Sequence, residues 1–295
     1  MTQAPGRSGF VAIIGRPNVG KSTLVNRLVG QKVAIVSARP QTTRNRILAV
    51  VNMAGGQMVL FDTPGIHKPV HRMNRRMVEV ATRTLSQVDV VLWMVEAGEP
   101  PGPGDQHIRK LLAKAKLPVV LGINKIDTLP RPQVLLTIDR YRNLLDFAQI
   151  VPLSALKGDN VDRLGGLLLA ALPEGEPLYP SETLSDQPER FFVGEMVRER
   201  ILENTRDEIP YSTGVLVDSF KEEPERVHIE ASILVERGTQ KGILIGKGGS
   251  MLKKIGSEAR RDIEKFLDAK VYLGLFVKVR PKWREDQKLL EQMGL

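Results

Sequence analysis

One stretch constrains this chain more than any other. Gly15-Arg16-Pro17-Asn18-Val19-Gly20-Lys21-Ser22 fits G-x-x-x-x-G-K-[ST], directly after an apolar run and directly before a helical one. A strand that turns through such a loop into a helix aims backbone N–H groups and the positive end of the helix at one spot, which suits a phosphate. Glycine removes the side chains that would hold those N–H groups away from a β-phosphate. On this pattern Lys21 reaches the β- and γ-phosphates and Ser22 binds Mg²⁺. Gly15, Asn18, Val19, Gly20 and Thr23 complete the nucleotide cradle.

The surrounding sequence supplies the fold such a loop needs. Short apolar runs at Phe10–Ile14, Ile47–Met53, Met58–Phe61, Val88–Val95, Pro118–Ile123 and Ile150–Leu153 read as strands. Most are continuously apolar, as in a sheet covered on both faces. Helical periodicity falls between them, at Lys21–Val29, Arg72–Ser86, Asp105–Ala115, Pro132–Phe147 and Asn160–Ala171. This order predicts an α/β domain over 1–172, doubly wound on a mainly parallel sheet.

Three further patterns stand at strand ends, where ligands bind in open α/β sheets. Asp62-Thr63-Pro64-Gly65 offers a carboxylate that can hold Mg²⁺ through a water and a Gly65 N–H for a γ-phosphate. In Asn124-Lys125-Ile126-Asp127 the Asp127 carboxylate can accept two N–H bonds from the guanine edge, whereas adenine has no matching donors;. Asn124 and the Lys125 stem would brace that loop and cover the base. Ser154-Ala155-Leu156 would offer backbone N–H to guanine O6. A threonine of Gln41-Thr42-Thr43-Arg44 can complete a Mg²⁺ shell, Thr43 being preferred and Thr42 second. Lys21, Thr43, Gly65 and Asn18 are the candidate catalytic set. Ile66 stands where many small GTPases carry the glutamine that orients water, so slow intrinsic hydrolysis is expected;. The basic run from His67 to Met77 follows Gly65 and is the natural element to sense the γ-phosphate.

Residues 173–189, rich in Pro, Glu and Ser, read as a linker;. A second domain is expected over 190–295, closing on a C-terminal helix. Its order is helix, strand, strand, helix, Gly246-Lys247-Gly248-Gly249, helix, strand, which predicts a smaller α+β domain of the type II KH kind. The charge changes sign along it. Residues 181–236 carry 14 acidic and 6 basic side chains, and residues 237–282 carry 4 and 12. A G-x-x-G turn between helices admits a nucleic-acid backbone, with Lys247 beside a phosphate. Gly246, Lys247, Gly248, Gly249, Lys241, Lys253, Lys254 and Arg260 are the candidate RNA-binding residues.

Composition narrows the remaining classes. No cysteine is present, which removes disulfides, zinc thiolates and a cysteine nucleophile;. No apolar run approaches the roughly 18–20 residues of a bilayer span. The opening MTQAPGRSGF lacks a secretory pattern, so a cytoplasmic site is expected;.

Over nearly all 295 residues the chain resembles the Era family of bacterial GTPases. The motifs concerned are GRPNVGKS (15–22), PQTTR (40–44), DTPG (62–65), NKID (124–127), SALKGDN (154–160) and GKGG (246–249). A single G domain separates it from the related family with two in tandem. The resemblance implies a GTP-hydrolysing switch, using GTP or GDP and Mg²⁺, that aids assembly of the small ribosomal subunit. It implies that the KH domain binds single-stranded RNA near the 3′ end of the small-subunit ribosomal RNA. Contact with the 30S subunit and peripheral contact with the inner membrane are further implications. No DNA partner is expected, and a monomer is. GTPases with G-x-P-N-x-G-K-S use the asparagine to hold K⁺; by this resemblance Asn18 is a K⁺ candidate, or it braces the loop. The alternative function is GTP-regulated binding of other RNA, or action at the membrane surface. A metabolic P-loop kinase would have no use for NKID, and a structural, unhydrolysed nucleotide would not need Lys21, Ser22 and Thr43 together.

Overall fold

The computed structural model describes residues 6–37, 39, 42–65 and 72–294, with the backbone alone for Arg72 and Asn74. The readings placed on Pro40, Gln41, Ile66 and residues 67–71 lie outside them. The chain divides into two compact units, one reaching Asp186 and the other built mainly from Gln187 onward.

The first unit is a six-stranded sheet in the order β2-β3-β1-β4-β5-β6. The strands are β1 (Arg7–Gly15), β2 (Ile47–Met53), β3 (Gly56–Asp62), β4 (Val90–Glu96), β5 (Val119–Asn124) and β6 (Gln149–Pro152). All pairs are parallel except β2 with β3, a hairpin in which Ile47 faces Asp62 and Met53 faces Gly56. Five helices cover it: α1 (Lys21–Val29), α2 (Arg72–Thr84), α3 (Pro103–Ala115), α4 (Arg131–Arg142) and α5 (Val161–Ala171). Because successive strand residues face opposite ways, continuous apolar runs need helices on both sides. Ala12, Ile14 and Trp93 pack with Ala81 of α2, Ile108 and Leu112 of α3 and Tyr141 of α4. The helices α1 and α5 pack on each other and on β1 and β3. β1 lies between β3 and β4, so the chain departs to either side of it and leaves a crevice at its C-terminal end, where the phosphate loop sits;.

The helix expected to reach Phe147 ends at Arg142. Asn143 is the C-cap, and Leu144, Leu145 and Phe147 pack against the core without helical structure. The stretch read as a linker is hydrogen-bonded to the first unit. Buried Gln57 accepts from Leu178 N and Tyr179 N at 2.8 and 2.9 Å and donates to Tyr179 O at 2.8 Å. Val50 N donates to Leu184 O at 2.9 Å. The edge of β2 and β3 is thereby covered, which lacks any periodic signature in the covering sequence.

The second unit contains α6 (Glu189–Asn204), α7 (Ile209–Ser212), β7 (Gly214–Glu222), β8 (Val227–Val235), α8 (Gly238–Ile245), α9 (Ser250–Leu267), β9 (Val271–Val279) and α10 (Gln287–Gln292). β8 is central, antiparallel to β7 and parallel to β9. Val227, Ile229, Ala231, Ile233 and Val235 share one face of it, and all are buried. α6 starts at Glu189, because Pro188 can stand at its N-cap and Phe192 and Val193 are core residues. Asp286 caps α10, accepting from Lys288 N and Leu289 N at 3.0 and 3.2 Å;. Among the described residues no helix is long and apolar enough to cross a membrane.

Candidate nucleotide and nucleic-acid sites

Three residues far apart in sequence meet at the end of β1. Ser22 Oγ opens α1, Thr43 Oγ1 precedes β2, and Asp62 ends β3. Ser22 donates to Asp62 Oδ2 at 2.6 Å and lies 2.7 Å from Thr43 Oγ1, which is itself 3.2 Å from Asp62 Oδ2. Asp62 is fully buried, and its Oδ1 has no hydrogen-bond partner among the described residues. Burial pushes its carboxyl above the usual range, with Lys21, Ser22 and Thr43 pulling the other way. Three converging oxygens, one on a buried carboxylate with an unused lone pair, form a donor set suited to a hard divalent cation. Thr42 does not belong to it, since its hydroxyl donates to Arg39 O at 2.6 Å.

Lys21 is buried beside this cluster and donates to Gly15 O at 3.3 Å and Arg16 O at 2.9 Å. Burial lowers its ammonium to about 8, only partly offset by Asp62. An anion beside it would restore the usual value. Gly65 lies so close to the phosphate loop that a Cβ there would sit 2.7 Å from Pro17 N. Any other residue would push the two loops apart. A cavity of about 250 Å³ opens over this region, with Asn18, Gly20, Thr23, Thr43, Gly65 and Lys125 on its wall.

Asn124 ties the phosphate loop to the loop after β6. It is buried, donates to Val19 O at 2.8 Å and accepts from Ala155 N at 2.9 Å. Lys125 adopts φ 67° and is ion-paired with Glu96 at 2.6 Å. Asp127 is exposed in a short 3₁₀ turn, Ile126–Thr128. Of the three N–H groups expected to meet guanine O6, two are used internally: Ser154 N donates to Asp159 O at 3.0 Å and Ala155 N to Asn124. The Leu156 N–H is the one these contacts leave.

Some supports carried no sequence signal, most of them because they join segments remote in the chain. Glu96 holds Lys125. Buried Asp105 in the first turn of α3 pairs with Arg16 at 3.2 Å. Asn26 accepts from Val33 N and Ala34 N at 2.9 and 2.8 Å, anchoring the path toward Thr43.

In the second unit, α8 and α9 are joined by Gly246 and a 3₁₀ turn, Lys247–Gly249. Gly246, Gly248 and Gly249 have φ of 72°, 60° and 80°, a region that favours glycine;. A Cβ on Gly248 or Gly249 would face open space, so backbone conformation and accessibility, not internal packing, select glycine there. Lys241, Lys247, Lys253 and Lys254 are exposed near the turn, and Arg260 is exposed farther along α9. The partners of Lys254 and Arg260, Glu258 and Glu264, lie at 4.0 and 3.9 Å, leaving both cations available.

A family model described as 50S ribosome-binding GTPase matches residues 10–125, and one described as KH domain matches residues 208–284. Fold and sites together define a P-loop GTPase joined to a KH domain. GTPase Era of Geobacter metallireducens is 53% identical over 100% of this chain and 99% of its own. Two solved Era structures are each 42% identical and cover 98% of this chain and 99% of their own. One, a variant from Aquifex aeolicus bound to GDP and AlF₄⁻, has a TM-score of 0.94, and one in complex with MgGDPNP and nucleotides 1506–1542 of 16S ribosomal RNA has 0.95. The chain belongs to the Era family of GTPases.

Proposed function

We propose that this chain is a slow GTP-hydrolysing switch whose KH domain binds single-stranded RNA near the 3′ end of the small-subunit ribosomal RNA, aiding assembly of that subunit. The observation that carries the nucleotide half is Asn124, whose two hydrogen bonds join the phosphate loop and the base loop into one site. Asp127 reads the guanine edge, and Lys125 covers the base. The backbone from Asn18 to Thr23 surrounds the β-phosphate, the Lys21 ammonium neutralises charge between β and γ, and the Gly65 N–H meets the γ-phosphate. Ser22 and Thr43 would hold Mg²⁺ directly and Asp62 through a water. Mg²⁺ bound there supplies Lewis-acid stabilisation of charge on the phosphate oxygens.

Asn18 has φ 66°, which asparagine tolerates better than most residues;. In this reading its side chain also holds K⁺ near the phosphates. Equal turnover in K⁺ and Na⁺ would leave it a loop brace. The RNA half rests on the exposed GKGG turn and on the Era relative that holds 16S ribosomal RNA. The reading places the chain in the cytoplasm, as a monomer acting on the 30S subunit.

Lys21 supplies the test. Its ammonium is lowered to about 8 without a ligand. Phosphate beside it raises that value, so above pH 8 nucleotide binding takes up a proton and weakens as pH rises. Calorimetry of GDP binding near about pH 8.5, in two buffers of different ionisation enthalpy, should show uptake of a substantial fraction of a proton. Lys21→Arg should bind without it, and ADP should give no binding heat. Tight binding of ADP, or GDP binding with no proton uptake, would contradict the assignment.

A further inference from the structure

We infer that Arg27 is a positioning residue for guanine recognition: from α1 it fixes the peptide that presents the Leu156 N–H. This rests on the base site proposed above. Arg27 sits on α1, well beyond the P-loop pattern in sequence. Its Nε donates to Ala155 O at 3.3 Å and its Nη2 to Leu156 O at 2.5 Å. The guanidinium lies flat enough against the loop that a Cβ on Gly158 would be 3.5 Å from its Cζ. One planar fork thus holds two successive carbonyls, which the single point charge of lysine cannot reproduce.

The peptide units of the loop show what this fork controls. The unit between Ser154 and Ala155 is fixed by its N–H, which donates to Asn124 Oδ1 at 2.9 Å. The unit between Leu156 and Lys157 is held at both ends, its carbonyl by Arg27 and its N–H by Ser154 Oγ at 3.0 Å. The unit between them carries Ala155 O and the Leu156 N–H. In a trans peptide these two bonds point in opposite directions. Drawing Ala155 O toward α1 therefore turns the Leu156 N–H away from α1, and the bond to Arg27 is the contact that sets this plane. Leu156 itself is 67% exposed, so its side chain gives the loop no packing to hold that orientation. Without Arg27 the central unit loses the contact that orients it, while its neighbours keep the bonds of their N–H groups to Asn124 and Ser154.

The consequence is specific to one edge of the base. O6 recognition depends on the Leu156 N–H and hence on Arg27, whereas recognition of N1–H and the 2-amino group depends on Asp127. Two analogues separate them. In 6-thioguanosine diphosphate sulfur replaces O6, a weaker acceptor, and both donors remain. Inosine diphosphate keeps O6 and lacks the 2-amino group.

The full-length protein and its Arg27→Ala and Arg27→Lys variants would be titrated with GDP and both analogues. Arg27→Ala should bind GDP about tenfold more weakly, the scale of one or two hydrogen bonds. Its preference for GDP over the thio analogue should collapse toward unity, while its preference for GDP over inosine diphosphate stays at the parental value. Arg27→Lys should fall between. If Arg27 served only stability, all three ligands would weaken by one factor and both preferences would persist; that outcome overturns the inference. A parent protein that does not prefer GDP to either analogue would instead refute the base site itself, leaving Arg27 without the role inferred here.

Discussion

Asp127→Asn should lower affinity for guanine nucleotides by about a hundredfold and raise affinity for xanthine nucleotides. In the base site proposed above, the carboxylate would accept from N1–H and the 2-amino group, and hydrogen bonds to a charged acceptor contribute about 1.5–3 kcal/mol each. An amide keeps one acceptor and places a donor against the 2-amino group. Xanthine has a carbonyl at that position, which the new donor can meet. Asp127 is exposed at the surface of its turn, so the exchange should leave folding intact;. Titration with GDP and xanthosine diphosphate measures both effects. Unchanged GDP affinity would remove Asp127 from the base site.

Gly249→Asp should reduce binding of single-stranded RNA by about a hundredfold or more while GDP affinity stays at the parental value. Gly249 has φ 80°, and an aspartate in that conformation costs roughly 1 kcal/mol;. Nothing lies within 4 Å of where its Cβ would stand, so no internal clash adds to that. Aspartate beside the first turn of α9 also suits the helix dipole, and the variant should fold;. In the proposed RNA site its side chain would fill the space that the RNA backbone needs, and its charge would repel phosphates. Lys247→Ala removes one cation without blocking the turn. It should weaken binding moderately and reduce the salt dependence by about one ion. A folded Gly249→Asp protein that binds RNA like the parent would make the turn a helix connection only.

The parts of this molecule legible in its sequence are those fixed by short-range chemistry. The phosphate loop could be read because strand, glycines, lysine and helix start occupy adjacent positions, and the structure places them so. Thr43 lies nearer β2 than Thr42 does, and the cluster with Ser22 and Asp62 includes Thr43 and not Thr42. In β8 the apolar residues Val227, Ile229, Ala231, Ile233 and Val235 recur at every second position, the period of one strand face, and all are buried;. Contacts between remote segments were not legible. Gln57 pairs with residues 178 and 179, and Arg27 with 155 and 156; neither glutamine nor arginine carries a pattern that names a partner more than a hundred positions away. The internal use of the Ala155 N–H was hidden for the same reason, because it depends on where Asn124 points.

The central claim joins a guanine-nucleotide state to recognition of one RNA segment. Its most direct test is titration of the full-length protein with an oligonucleotide of the 3′ end of the small-subunit ribosomal RNA, beside a scrambled oligonucleotide of the same composition. Both would be measured with a non-hydrolysable GTP analogue and with GDP at fixed salt. The account predicts strong preference for the native segment over the scrambled one, and tighter binding in the GTP-analogue state than with GDP. Equal affinity for the two oligonucleotides, unaffected by the nucleotide bound, would contradict it.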